Sequence, residues 1–302
     1  MVEMFDILLN SYTFKVVTIG CSLLGMISSI IGTFAVLKKE SLLGDGVAHS
    51  SLAGICIAFL LTGRRELFIL LIGALIMGLI CVLLIHYIGT NSKVKFDSAI
   101  ALILSTFFGL GLVLLTYLKR IPGAKKAGLS NFIFGQASTL ILKDIYLITG
   151  VGLILLILVI FFWKQIKISI FDKEYAKTIG INSDRYRLLV SVMIVINVII
   201  GLQIAGVVLM TAMMISPVVA ARQWSNKLNI VVILSSIFGA ISGFIGSLSS
   251  SLNSSLPTGP VIVVVLSIFV MFSMLFSNKR GLIYRYISRK KFEREIKRKW
   301  AR

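Results

Sequence analysis

The sequence predicts an all-α integral membrane protein, a polytopic bundle of eight or nine transmembrane helices. Hydrophobic residues make up 57% of the chain and charged residues 14%, whereas an average soluble domain carries about 25% charged residues. Apolar runs such as 67–88 and 98–118 are long enough to cross a bilayer, which takes about 18 or more residues. Helices are the expected element, because the bilayer core offers no partner for an open backbone group.

Nine apolar segments are candidate spans. They lie near 15–37, 41–63, 67–88, 98–118, 145–163, 187–202, 204–221, 228–248 and 259–277. The sixth and seventh are short and are separated only by Gly201–Gln203, so eight spans are the alternative. Little sequence remains for a soluble domain, and we interpret 1–302 as a single transmembrane domain.

The basic residues predict the orientation of the bundle. If the C-terminus is cytoplasmic, the segments on that side hold 23 of the 31 Lys and Arg residues, as the positive-inside rule requires. The net charge of +19 lies in short loops and in the tail 279–302, which argues against nucleic-acid binding. We expect the basic cytoplasmic tail to set topology and contact anionic lipid, or else to contact a cytoplasmic partner.

Several common motifs are absent from the sequence. It contains no G-x-x-x-x-G-K-[ST], no G-x-S-x-G and no H-E-x-x-H. We therefore expect no enzyme, and any ATP that drives the protein must bind another chain. Cys21, Cys56 and Cys81 lie inside spans without paired metal spacing, which indicates packing residues. Residues 1–11 show no cleavable signal peptide.

Asp45 and His49 are the most informative residues, because a charged Asp at a helix centre in lipid costs roughly 2.5–3.5 kcal/mol. Their i, i+4 spacing puts them on one helix face, roughly 5–6 Å apart at Cβ. Three interpretations stay open: a structural hydrogen bond, a proton relay, or a site for Mn²⁺, Fe²⁺ or Zn²⁺. A two-fold dimer would supply four donors. The surrounding small residues would let another helix or subunit approach closely. They are Gly44, Gly46, Ala48, Ser50, Ser51, Ala53 and Gly54.

Other polar or soft side chains inside the spans are expected to have structural roles. His86, near the end of a span, fits an interfacial position, and Asn197 and Gln203 fit hydrogen bonds between helices. Three methionines in the seventh span are expected to pack rather than bind a soft metal. They are Met210, Met213 and Met214.

Proline and glycine shape the last spans. Pro217 lacks a backbone donor and is expected to kink the seventh span, freeing a carbonyl near Met213. Gly239 and Gly243 form a GxxxG pair, followed by Gly246, which favours close helix packing.

Two longer loops separate the spans. The cytoplasmic segment 164–187 contains a short helix pattern, with Asp172 as its N-cap and Gly180 at its end. It is either a connector or a docking element for a motor subunit. The outside loop 119–144 holds a basic stretch and an apolar patch, typical of an interfacial or re-entrant segment or of packing at the rim.

Five motifs together resemble the manganese/zinc/iron permease family of bacterial ABC importers, and the resemblance covers nearly the whole chain. They are Leu42–Asp45 with His49–Gly54, Lys126–Ala137, Asp172–Ile181, Gly206–Pro217 and Leu256–Pro260. One departure is Ala53, where many relatives carry Pro. The fold implied is that of vitamin and siderophore permeases.

The resemblance implies an importer subunit in the bacterial cell membrane, with no permanently bound cofactor. Its implied partners are a second permease copy, identical or paralogous, two cytoplasmic ABC ATPases and an extracellular metal-binding protein. Asp45 and His49 would lie on the metal path. The 172–181 helix would dock the ATPase through Asp172, Glu174, Tyr175, Ala176 and Gly180. The cargo would be a divalent metal, with manganese or iron favoured over zinc by the stretch Phe132–Ala137.

Two other transport functions remain alternatives. A proton-coupled or channel-like cation carrier would work without an ATPase. A siderophore or cobalamin permease would have a wide, mostly apolar path without the Asp–His pair.

Overall fold

Helices make up all the regular structure in the computed structural model, which describes residues 11–64, 66–118, 120, 135, 140–252, 256–277, 281, 282 and 284. In chain order they are α1 (Tyr12–Leu37), α2 (Leu43–Thr62), α3 (Leu67–Asn91), α4 (Phe96–Leu118), α5 (Leu142–Phe161), α6 (Trp163–Phe171), α7 (Lys173–Thr178), α8 (Ser183–Trp224), α9 (Leu228–Leu252) and α10 (Thr258–Phe276). The predicted all-α fold class is confirmed.

Nine helical segments of the described chain are long and apolar enough to cross a membrane, so the nine-span prediction is confirmed. The helix α8 supplies two of them, Ser183–Leu202 and Ile204–Trp224. The helical backbone is broken at Gly206, just after the start of the second of these spans, where a φ of 69° and a ψ of 174° are not helical. Glycine adopts a positive φ without steric cost, which explains why the break falls there.

The sixth span begins at Ser183, earlier than the predicted residue 187. The Asn182 side chain explains the early start, because it accepts hydrogen bonds from the backbone N–H groups of Asp184 and Arg185. The segment 164–187 is therefore mostly helical rather than a loop. It contains α6, α7 and the first turn of α8.

The long helix α8 contacts most of the other helices, and α1 packs most extensively against α9 and α8. A Cβ atom added at Gly25 would collide with the carbonyl oxygen of Gly239, and one at Gly243 would collide with the backbone of Cys21. The close packing predicted from the GxxxG pair is thus confirmed. Buried hydroxyl groups join the same two helices, with Thr33 Oγ1 3.0 Å from Ser235 Oγ.

Pro217 lies inside α8, but the non-helical backbone of this helix is at Gly206. The predicted kink at Pro217 therefore does not account for the main break in α8. The carbonyl predicted to be freed near Met213 does find a partner on α1. Ser29 Oγ donates a hydrogen bond to Met213 O over 3.3 Å, so a buried acceptor is satisfied.

Two predicted segments lie largely outside the described residues. Of the apolar patch in the outside loop, only Gly135 is described, and a Cβ atom there would collide with the backbone of Ala205 and Gly206. Of the tail 279–302, residues 281, 282 and 284 are described. The side chain of Gln203 is also outside the described part, so its hydrogen bonds stay a prediction.

Candidate metal site

Asp45 and His49 lie on successive turns of α2 and share one face, as their spacing predicts. Asp45 Oδ1 is 3.5 Å from His49 Nε2, and the two side chains keep 33% and 23% of their exposure, respectively. This distance is at the long limit of a hydrogen bond. The carboxylate of Asp45 therefore keeps lone pairs, and the imidazole of His49 keeps a ring nitrogen, that can bind a ligand.

The imidazole of His49 lies against α4 and beside a small cavity. Its ring meets the ring of Phe108 edge to face, with centroids 4.5 Å apart, and Phe108 is near the middle of α4. A cavity of about 10 Å³ adjoins the ring, which is room for about one water molecule. It is lined by Ala48, His49, Ser51, Leu52, Ile55, Phe108 and Val207.

The break in α8 is directly relevant to this cavity, because Val207 follows Gly206 and lines it. The outside loop also reaches the break, since Gly135 packs against Ala205 and Gly206. In the sequence, Gly206 begins one of the five motifs, but that motif does not predict a break in the helix. A chain reversal there is signalled only by the short sixth and seventh spans.

The small residues of α2 do allow close packing, as predicted. A Cβ atom at Gly54 would collide with the carbonyl oxygen of Gly73 on α3. The hydroxyl groups of Ser50 and Ser51 donate to carbonyl groups of α2 itself, Val47 O at 2.9 Å and Ala48 O at 2.6 Å. The helix is continuous through Ala53, which is fully buried.

One copy of the chain supplies two donors rather than a complete metal site. Within the described residues, no group of three or more His, Cys, Asp and Glu side chains could hold a metal ion. Carboxylate and imidazole together suit Mn²⁺, Fe²⁺ and Zn²⁺. Further ligands would have to come from water or from a second copy.

A second polar cluster, which was not predicted, lies in the turn just before α2. Glu40 is 1% exposed. Its Oε2 is 2.6 Å from Lys38 Nζ, and its Oε1 is 2.7 Å from Arg187 Nη2. Lys38 Nζ also donates to Arg187 O at 3.0 Å and to Ser191 Oγ at 3.3 Å. We call Lys38, Glu40 and Arg187 the ion cluster.

Charge pairing is what allows the ion cluster to be buried. Burial lowers the pKa of Lys38, while the neighbouring Glu40 carboxylate acts in the opposite direction. An uncompensated buried charge costs several kcal/mol, so each member depends on the others. In the sequence, Lys38 and Arg187 look like ordinary positive-inside residues. The only indication of the cluster in the sequence is the acidic residue Glu40, which lies between the two lysines at 38 and 39 and the next span.

The other polar groups with described side chains contact neighbouring helices. His86 Nε2 lies 3.4 Å from Ser191 Oγ, near the ion cluster. Ser28 Oγ donates to Asn197 Oδ1 at 3.4 Å, joining α1 to α8. Three methionines of the seventh span and the three cysteines are buried in the apolar core. They are Met210, Met213, Met214, Cys21, Cys56 and Cys81.

The short helix α7 forms as predicted. The Asp172 side chain accepts a hydrogen bond from the backbone N–H of Tyr175 at 2.8 Å, and Gly180 follows the helix with a φ of 77°. Glu174 lies in the first turn. Tyr175 is exposed whereas Ala176 is fully buried, so Ala176 packs against the chain and does not face a partner.

These features define a multi-pass membrane protein with a carboxylate–imidazole pair in its interior and a short exposed helix outside its spans. A sequence model of the ABC 3 transport family matches residues 10–277, so the chain belongs to this family. This family membership was expected from the five sequence motifs, the first of which contains Asp45 and His49.

Individual relatives support this assignment. The zinc transport system membrane protein TroC of Treponema pallidum (strain Nichols) is 39% identical over 284 residues, which is 94% of this chain and 95% of that protein. The manganese transport system membrane protein MntC of Bacillus subtilis (strain 168) is 41% identical over 92% of this chain and 64% of that protein. A solved structure, PsaBC from Streptococcus pneumoniae in complex with Fab, contains a chain with a TM-score of 0.80 and 30% identity. The match covers 96% of this chain and 99% of that one.

Proposed function

We propose that the chain is the permease subunit of an ATP-driven importer of divalent metal ions, with Asp45 and His49 on the ion path. The observation that carries this proposal is their geometry. A carboxylate and an imidazole share only one long contact, and the imidazole adjoins a small cavity. The chain also belongs to a transport family, and two of its relatives are named as zinc and manganese transport proteins. A divalent metal ion is therefore the ligand that we propose for the pair.

The size of the cavity supports a bare or nearly bare ion as cargo. Its volume of about 10 Å³ matches a single water molecule rather than a siderophore or cobalamin. We propose manganese as the first cargo to test, with iron and zinc as the competing metals. Carboxylate and imidazole groups bind all three metals, so the choice of metal also depends on which ion the extracellular protein delivers to the site.

The proposed importer needs three kinds of partner. A second permease copy would double the Asp45–His49 donors, an extracellular protein would deliver the ion, and two ABC ATPases would supply energy. The protein would lie in the bacterial plasma membrane with its C-terminus in the cytoplasm, the orientation that the basic residues favour. We propose 1–302 as one permease domain.

The exposed side of α7 supports ATPase docking on the proposed cytoplasmic face. Phe171 at the end of α6, Tyr175 in α7 and Ile179 just after α7 are 59%, 55% and 44% exposed. Exposed apolar patches of this kind mark contact sites with partners. Asp172, Glu174 and Gly180 would shape this docking helix, and Ala176 would hold it against the permease.

Metal uptake into vesicles tests the proposal. The purified permease, its cognate ATPase and its binding protein are reconstituted, and ATP-dependent manganese uptake is measured. We expect Asp45→Asn combined with His49→Ala to lower uptake to the level without ATP. The matched control is Thr106→Ala on α4, whose exposed hydroxyl donates only to Leu102 O at 2.8 Å. Normal uptake by the double variant would refute the proposed role of the pair.

A further inference from the structure

We infer that Glu40 is a positioning residue that couples α7 to the Asp45–His49 helix through the ion cluster. The inference rests on the proposed function, because it concerns how ATPase movement reaches the cargo. A continuous series of ion pairs and backbone hydrogen bonds connects the two regions, and three links make it up.

The first link joins α7 to the start of α8. Lys173 Nζ lies 2.9 Å from Asp184 Oδ1. The connection between the helices is only residues 179–182, and Ile181 N donates to Ala176 O at 2.8 Å. A displacement of α7 therefore carries the first turn of α8 with it.

The second link joins α8 to the turn before α2. Arg187 lies one turn after Asp184, and its Nη2 is 2.7 Å from Glu40 Oε1. The guanidinium also lies over the Phe96 ring, 5.9 Å from its centroid. Lys38 adds a second bridge between the same elements, because its Nζ contacts both Glu40 Oε2 and Arg187 O.

The third link joins Glu40 to the metal-binding helix. The backbone of Glu40 closes the turn by donating to Ala35 O at 2.9 Å and accepting from Leu43 N at 3.0 Å. Leu43 is the first residue of α2, and Asp45 lies in its first turn. Movement of the Glu40 carboxylate is thereby transmitted to the Asp45 side chain.

The two ends of the series differ in burial. The side chains of Lys173 and Asp184 are 45% and 63% exposed, whereas those of Lys38 and Glu40 are each 2% exposed. An exposed ion pair adds little to the free energy of unfolding. If the series only stabilised the fold, Lys173 and Asp184 would therefore contribute little to it. In a series that transmits movement, this outer pair adds a side-chain contact to the backbone connection between α7 and α8.

The test measures manganese uptake and ATP hydrolysis in the same vesicles, so that uptake per ATP is obtained. Glu40→Gln is expected to lower uptake per ATP by about tenfold, within the usual range of coupling between sites. ATP hydrolysis and manganese binding to the purified permease should stay close to wild type. A purely structural role would lower all three together.

The outer pair supplies variants that do not disturb the buried cluster. Lys173→Asp should also lower uptake per ATP, and combining it with Asp184→Lys should restore it by re-forming the pair. Lys167→Ala, a change in an exposed lysine of α6, is the matched control and should leave uptake per ATP unchanged.

Three outcomes overturn the inference. Wild-type uptake per ATP in both Glu40→Gln and Lys173→Asp would show that the series transmits nothing. Parallel loss of uptake, ATP hydrolysis and metal binding in the variants would assign it to folding or docking. Absence of uptake from wild-type vesicles would overturn the proposed function and this inference with it, a result that the wild-type measurement alone identifies.

Discussion

Two polar groups flank the start of α2, and they differ in how completely they are paired. In the ion cluster, two basic groups contact the buried Glu40 at 2.6 and 2.7 Å. In the Asp45–His49 pair, one contact of 3.5 Å joins two part-exposed side chains. Full pairing is what burial of charge demands. Incomplete pairing of Asp45 and His49 leaves donor capacity for a ligand, which is how we distinguish a structural ion cluster from a pair that could bind cargo.

The largest expected effect comes from removing the centre of the ion cluster. Glu40→Ala should destabilise the permease by about 3–5 kcal/mol, because it leaves two basic groups without their counter-ion. Asp45→Ala should change stability by no more than about 1 kcal/mol, since it removes only one long, part-exposed contact. Unfolding of the purified protein in lipid nanodiscs measures both. Equal losses of stability in the two variants would contradict the difference between the ion cluster and the Asp45–His49 pair.

A smaller effect should separate two buried glycines of α2 that differ in the space available for a Cβ atom. Gly54→Ala should destabilise by about 1–3 kcal/mol, because its Cβ would collide with the carbonyl oxygen of Gly73. Gly46→Ala, beside Asp45, should stay within about 0.5 kcal/mol, because its Cβ would lie 3.4 Å from Ile100 Cγ2. The same unfolding measurement applies, and a larger cost at Gly46 would mean that no space exists next to the pair.

The smallest effect expected is a pH dependence from the ion cluster. Because burial lowers the pKa of Lys38, the unfolded chain binds more protons than the folded chain between the two pKa values. Stability should therefore rise as pH increases through this window, which ends near the unfolded lysine value of about 10.4. Lys38→Met should flatten the rise, while Lys39→Met, at an exposed neighbour, should preserve it. Identical pH profiles for the two variants would contradict the assignment.

Much of the fold could be predicted from the sequence, because long apolar runs have one physical solution in a bilayer. The span positions, the cap at Asp172 and the shared face of Asp45 and His49 follow from local spacing. The partner of the Met213 carbonyl was not predicted, because Ser29 lies far away in the chain. The freed carbonyl itself was predicted, because Pro217 lacks the backbone N–H that would donate to the carbonyl of Met213, four residues earlier.

The ion cluster could not be predicted, for a different physical reason. Lys38 and Arg187 are 149 residues apart in the chain, and each looks like a residue that faces the cytoplasm. Only the tertiary packing of α1, α2 and α8 shows that they converge on Glu40. The break at Gly206 is similar, because a helix-compatible sequence surrounds it and the positive φ is set by neighbouring elements.

Manganese binding to the purified permease tests the central claim most directly, because it asks which polar group holds the cargo. Titration calorimetry in nanodiscs should show binding by wild type and by Thr106→Ala. Asp45→Asn with His49→Ala should weaken affinity by more than about 100-fold, since loss of outer-shell groups alone costs about 10–100-fold. Folded Glu40→Gln protein should bind close to wild type. Equal affinity in wild type and the Asp45–His49 double variant would contradict the account.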